Sequence, residues 1–152
     1  MNCELISVGT EILLGDIVNT NAQFLSRELA QLGINVLFQC TVGDNRKRLL
    51  SVLKEALERS DMLLLTGGLG PTPDDMTKEV CAEFFEKELI LHEPSLKKIE
   101  DFFSLKNITM PESNKKQALI PEDAIILENE NGTAPGCIME KDGKAIIILP
   151  GP

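Results

Sequence analysis

Thr66-Gly67-Gly68-Leu69-Gly70-Pro71-Thr72-Pro73-Asp74-Asp75 directly follows the apolar run Met62 to Leu65, and this junction decides how the chain folds. A short apolar strand that runs into a glycine-rich loop and then a helix is the pattern of an α/β domain. Three glycines let backbone N–H groups approach a bulky anion, and two adjacent carboxylates before the next helix suit a divalent cation. The pairing reads as a metal-assisted phosphate or diphosphate site. A three-glycine loop alone is weak evidence, because turns also need glycine, and the acidic pair is what strengthens it.

Upstream of this junction, apolar spacing predicts a strand over about Cys3 to Val8 and a helix over about Thr20 to Leu32, with Leu25, Leu29 and Leu32 on one face and Gly33 as its stop. A second strand covers about Asn35 to Val42. The helix after Asp44 carries Leu49, Leu53, Ala56 and Leu57 on one side and charges on the other, which makes it a layer over a sheet. Strand three spans Asp61 to Leu65, and a helix is expected from near Asp74 with Val80 and Phe84 inward. The resulting order, β-α-β-α-β-α, implies right-handed crossovers and a parallel sheet.

Downstream the pattern loosens from Leu89. Ser95 to Lys106 reads as a helix with Leu96, Ile99 and Phe103 inward, Pro111 to Lys116 as a polar connection or short helix, and Ala124 to Leu127 as a brief strand. Cys137 to Glu140 and Ala145 to Leu149 flank Asp142-Gly143, a two-residue hairpin signal, so an antiparallel excursion ends the sheet. The expected fold is α/β: one domain over residues 1–152, three-layered, with a mostly parallel sheet and a C-terminal antiparallel hairpin.

Composition narrows the function classes. At 152 residues, 43% apolar and 26% charged, the chain has the make-up of a globular domain with no apolar stretch of membrane-spanning length, and no membrane partner is expected. A formal charge of −9 argues against nucleic acid, whose binding draws on clustered Lys and Arg. Arg46, Lys47 and Arg48 form the densest basic cluster and read as a solvated helix start, with a ligand anion as the rival role. Cys3, Cys40, Cys81 and Cys137 lie far apart beside apolar neighbours, as buried free thiols do, in preference to a zinc site or disulfides. A reducing cytoplasm fits that use, and no secretory signal precedes the first strand. His92, the sole histidine, reads as a turn cap with Glu93 and Pro94.

Three further loops share the grammar of the first. Leu5-Ile6-Ser7-Val8 ends in Gly9-Thr10-Glu11, with Leu13-Leu14-Gly15-Asp16 and Asn19-Thr20-Asn21 after it; Asn129 to Gly136 interrupts two apolar runs; Leu149-Pro150-Gly151-Pro152 follows the last strand. Loops at the carboxyl ends of parallel strands gather on one edge of an open sheet, so the four should share a cleft. Together SVGTEILLGDIVNTN (Ser7 to Asn21), GGLGPTPDDMT (Gly67 to Thr77), NGTAPG (Asn131 to Gly136) and LPGP (Leu149 to Pro152) resemble the competence-damage-inducible (CinA) family, in its N-terminal molybdopterin-binding-like domain of MoaB/MogA type. Family members usually continue past the last motif with a further proline, a helix and other domains, so the chain reads as an N-terminal domain lacking its final helix.

For the cleft, backbone groups of Gly67, Gly68 and Gly70, with Thr72, are expected to hold a diphosphate, joined by Gly9, Thr10, Glu11 and Asn21 on one side and by Asn131, Gly132, Thr133, Gly136, Pro150 and Gly151 on the other. Like charge between phosphate and carboxylate calls for a cation, Mg²⁺, Mn²⁺ or Co²⁺, with Asp74, Asp75 and Glu11 as its candidate ligands. Asp74 has a rival role as cap of the third helix, and Asp44 as cap of the second. The resemblance implies that Asp44 and Asp75 are the functional, catalytic carboxylates. It also implies ADP-ribose hydrolysis as the activity, with binding of molybdopterin or its adenylate, or a non-catalytic assembly role, as alternatives. A nucleotide or pterin partner and a homo-oligomer, dimer or trimer, follow from the same resemblance, while the family's nicotinamide-nucleotide deamidase activity belongs to a C-terminal domain.

Overall fold

In the computed structural model, which describes residues 1–151, β1 (Asn2–Val8), β2 (Asn35–Val42), β3 (Met62–Thr66) and β8 (Lys144–Leu149) run parallel, and β7 (Gly136–Lys141) and β6 (Ile125–Leu127) continue the sheet antiparallel. The strand order is β2-β1-β3-β8-β7-β6. β3 lies inside the sheet and is buried along its whole length, as a strand covered on both faces must be. Alternation divides its side chains: Leu63 and Leu65 join one core with Leu49 and Leu53 of α3 (Arg46–Arg59) and Val80 of α4 (Thr77–Phe84), whereas Met62 and Leu64 join Ala22 and Leu29 of α2 (Thr20–Gln31). Two apolar cores on opposite faces of one sheet are the three-layer architecture the periodicities predict.

The β7–β8 hairpin turns at Asp142 and Gly143 with φ of 51° and 76°, the pair of positive values that a two-residue turn of this hand requires. Three elements differ from expectation. A short helix, α1 (Thr10–Leu14), fills the first loop, and β4 (Leu89–Leu91) pairs antiparallel with β5 (Leu119–Pro121) in a separate two-stranded sheet. Three-residue strands carry too little alternation to stand out, so the segment from Leu89 looked irregular. Between these strands lie α5 (Glu93–Leu105), capped by the His92 ring, whose Nδ1 accepts from Ser95 N, and a 3₁₀ helix over Glu112–Ala118.

All four cysteines are free; Cys3, Cys81 and Cys137 are buried and Cys40 is partly covered. Burial pushes the Cys3 and Cys137 thiols up to about 11 and holds the Cys81 thiol well above the ordinary thiol value, while burial pulls the Lys78 ammonium down to about 8. The two effects have opposite signs. From pH 8 upward the unfolded chain keeps a lysine proton that the fold has shed, so Lys78 adds about 1.4 kcal/mol of stability per pH unit. Above pH 9 unfolded thiols ionise while buried ones stay neutral, and each subtracts a similar ~1.4 kcal/mol per unit. Three thiols outweigh one lysine. Urea unfolding should therefore show stability rising slightly between pH 8 and 9 and falling above it; Lys78→Met should remove the rise, and a fall that begins at pH 8 in the parent chain would rule the lysine effect out.

Candidate functional site

The carboxyl ends of β1, β3 and β8 meet along one edge of the sheet. Gly67 N donates to Leu149 O at 3.3 Å and Gly9 N to Val42 O at 3.0 Å, so the loops leave the sheet side by side. They enclose a cleft of about 850 Å³. Gly67 and Gly68 take φ of 94° and 67°; a Cβ on Gly67 would stand 2.2 Å from Val8 O, and one on Gly68 would stand 2.1 Å from Thr77 Oγ1. Both positions demand glycine, because the loop doubles back against β1 and against the start of α4.

Most of the predicted residues are brought together. Gly9, Glu11, Asn21, Asp44, Gly67, Gly68, Gly70, Thr72, Asp74 and Asp75 line the cleft, as do Asn131, Gly132, Thr133, Pro150 and Gly151. Pro152, the last residue of the fourth motif, lies outside the described residues. Two of the predicted residues, Thr10 and Gly136, do not line it. Thr10 is exposed but does not line the cleft; its N (3.0 Å) and Oγ1 (2.8 Å) donate to Asp44 Oδ2. Gly136 is buried where β7 packs on β8; a Cβ there would meet Ile148 O at 2.6 Å, so its role is a close strand approach.

The capping roles are also redistributed. Asn45, not Asp44, caps α3 by accepting from Arg48 N at 3.1 Å, which leaves Asp44 to face the cleft. The third helix begins at Thr77 rather than near Asp74, and Met76 occupies its cap position with no side-chain bond. Asp74 is exposed and is not the cap. Asp75 instead closes a turn, its Oδ2 accepting from Thr72 N at 2.9 Å and Thr72 Oγ1 at 2.6 Å. Gly70 lies against that carboxylate, since a Cβ on it would come within 2.5 Å of Oδ2. Ser7 is a buried strand residue that accepts from Asn19 Nδ2 at 2.7 Å, and Asn19 Oδ1 caps α2 through Ala22 N. Arg46 pairs with Glu83 across α3 and α4, and neither it nor Lys47 or Arg48 lines the cleft.

Asn129 and an apolar lip belong to the site although the sequence alone assigns them no site role. Asn129 Nδ2 donates to Ala134 O at 3.1 Å and its Oδ1 accepts from Asn131 N at 3.0 Å, stapling the loop that walls the far side. An Asn two residues before another in a glycine loop is the signature of such a local turn and was available to be read. Ile12, Ile17 and Val18 line the near side and make it apolar. Among the described residues no aromatic side chain lines the cleft, and no Lys or Arg does, so four carboxylates (Glu11, Asp44, Asp74 and Asp75) face it without a basic partner. Among the same residues, no three His, Cys, Asp or Glu side chains form a metal-holding group, so Glu11, Asp74 and Asp75 do not close into one cage. Asp75 is tied to its turn, and Glu11 folds back beside Gly9, where a Cβ would stand 2.5 Å from Glu11 Oε1.

The sequence pattern of the family described as "Probable molybdopterin binding domain" matches residues 4–152. The chain belongs to that family. A crystal structure of the protein CinA, of unknown function, from Thermoplasma acidophilum superposes with a TM-score of 0.90 at 39% identity, over 100% of this chain and 90% of that one. A Clostridioides difficile relative named for competence-damage induction is 62% identical over 100% of this chain and 36% of its own length. The chain thus spans about a third of that curated relative. The molybdopterin biosynthesis enzyme MoaB from Thermus thermophilus shares the fold, with a TM-score of 0.64 at 18% identity over 99% of this chain and 81% of that one. Among the described residues of this molybdopterin-binding-like CinA domain, no helix is long and apolar enough to cross a membrane.

Proposed function

We propose that the cleft binds a nucleotide diphosphate together with a divalent cation and hydrolyses the diphosphate, with ADP-ribose as the substrate. The supporting observation is the pairing of a glycine loop rich in backbone N–H groups with four carboxylates and no basic side chain among the described residues. Helix and loop N–H groups favour an anion by about 0.3–1 kcal/mol per contact, whereas a phosphate charge ~4 Å from a carboxylate is repelled by about 4 kcal/mol at an effective dielectric of ~20. Repulsion wins, so the anion must enter with a cation. The donors are all hard oxygens, which suits Mg²⁺, Mn²⁺ or Co²⁺ held by one or two carboxylates such as Asp74 and Asp75 rather than by an all-protein cage. When bound, the ion supplies charge neutralisation and polarises phosphoryl oxygens.

The chain's own groups do the positioning. Gly67, Gly68 and Gly70 cradle the diphosphate, and the lip of Ile12, Ile17 and Val18 packs on the nucleoside. Water adds to one phosphorus as the P–O bond to the bridging oxygen breaks, giving AMP and ribose 5-phosphate, and the water's proton passes to a carboxylate. Asp44 and Asp75 both suit that role, because Thr10 and Thr72 hold each at Oδ2, and among the described residues Oδ1 takes no protein hydrogen bond.

A second reading, binding of molybdopterin or its adenylate, is supported by the family's description and by the MoaB neighbour. The experiment that separates them is incubation with ADP-ribose and each metal, with and without chelator, followed by chromatography. Metal-dependent AMP supports the hydrolase. Absence of AMP together with tight binding of a phosphorylated pterin would replace it with the pterin reading.

A further inference from the structure

Neither Asn114, Lys116 nor Gln117 lines the cleft, yet the 3₁₀ helix that carries them holds the glycine loop at two points on either side of Gly70. On one side Gln117 Nε2 donates to Leu69 O at 3.3 Å, with its own amide oriented by Asn114 Nδ2, which donates to Gln117 Oε1 at 3.0 Å. On the other, Lys116 Nζ donates to Thr72 O at 2.9 Å and to Asp75 O. We infer that Lys116 is a positioning residue that sets the Asp75 carboxylate for the cleft.

The geometry is specific to the turn. Asp75 N donates to Thr72 O at 3.2 Å, and Thr72 N and Oγ1 donate back to Asp75 Oδ2, so the turn's two ends carry both the backbone closure and the side-chain closure. A single ammonium bonded to the carbonyls of those same two residues locks the turn from outside, as only a donor-rich group on a long stem can do. The helix is itself anchored: buried Lys78 donates from Nζ to Lys116 O at 3.3 Å and Gln117 O at 3.0 Å. Asn114 and Gln117 are buried as well, so the grip comes from a fixed body rather than from a mobile surface chain. Glu79 stands 3.5 Å from Lys116 Nζ and is the third partner of its charge. Thr10 secures Asp44 from 34 residues away, and Lys116 secures Asp75 from 41.

This assignment rests on reading Asp75 as a carboxylate of the diphosphate site, and the test separates the two. In the full chain, amide hydrogen exchange at Thr72 reports the turn directly, and kcat and KM for ADP-ribose with Mn²⁺ report its use. Lys116→Met is expected to lower Thr72 protection and kcat each by about tenfold or more, with KM within about threefold, since a displaced catalytic group costs turnover more than binding. Lys116→Arg should recover both, and Glu79→Gln should leave both unchanged, which excludes loss of the ion pair as the cause. Should Lys116→Met not fold, Lys116→Gln takes its place. Thr72 protection within about twofold of the parent in the lysine variant overturns the assignment. If the parent chain releases no AMP, the hydrolase reading falls alone, and loss of Thr72 protection together with a shifted Asp75 carboxyl carbon resonance still sustains the positioning role.

Discussion

Asp75→Asn is expected to lower metal-dependent AMP formation from ADP-ribose by about a hundred- to ten-thousandfold, the range for losing a positioned acid–base group, while thermal unfolding stays close to that of the parent. The amide oxygen still accepts from Thr72 N and Oγ1, so the turn survives and only the charge is lost. Asp75→Ala removes both. The difference in stability between the two variants then measures what the turn contributes, about 1–3 kcal/mol for an interaction of this kind. Asp44→Asn is the companion case, since its Oδ2 contacts to Thr10 also survive the change. Full turnover in Asp75→Asn would remove this carboxylate from the reaction, and the same result in Asp44→Asn would do so for its neighbour.

The largest expected loss of stability lies far from the cleft. Glu4 on β1 is wholly buried, and its two oxygens take Arg59 Nε at 2.8 Å and Nη2 at 2.7 Å in a forked pair, while the guanidinium also stacks 4.1 Å from the centre of the Phe38 ring. Arg59→Met leaves that carboxylate in the sheet without a partner, at a cost of about 3 kcal/mol, the lower end of the range because the arginine is itself half exposed. For a chain of this size that lowers the melting temperature by roughly 6–12 °C. Replacing both groups, Glu4→Leu with Arg59→Met, should restore most of the loss, because the pair's attraction is largely offset by its desolvation. An additive double variant would show that Arg59 acts through packing on Phe38 instead.

Both residue pairs show where a reader of the sequence stops. Glu4 sits in a strand pattern that otherwise reads as apolar, and nothing near it in the chain names Arg59, 55 residues on, as the reason it can be buried. The unbroken apolar run Met62 to Leu65, by contrast, announces a strand covered on both faces, and Asp142-Gly143 announces its hairpin, because each depends only on neighbours a few residues apart. The short β4 and β5 strands were invisible for the same reason turned around: three residues each, paired across nearly thirty intervening residues, hold together only once the chain has folded.

The motif loops behaved likewise. Period and glycine placement in the amino-acid string were enough to specify the three-layer domain, the gathering of its loops on one sheet edge and the acidic character of the cleft, because these follow from local sterics and from the way parallel strands must be connected. The division of labour among the carboxylates was not. That Asn45 rather than Asp44 caps α3, that Thr10 supports Asp44 from 34 residues away, and that Lys116 holds the Asp75 turn all emerge from contacts between remote segments. Capping competition is settled by backbone angles within a fraction of a turn, and long-range hydrogen bonds by which elements pack together. Neither is written in the spacing of residue types, since many partners of the right chemistry exist and only packing brings one of them to 3 Å.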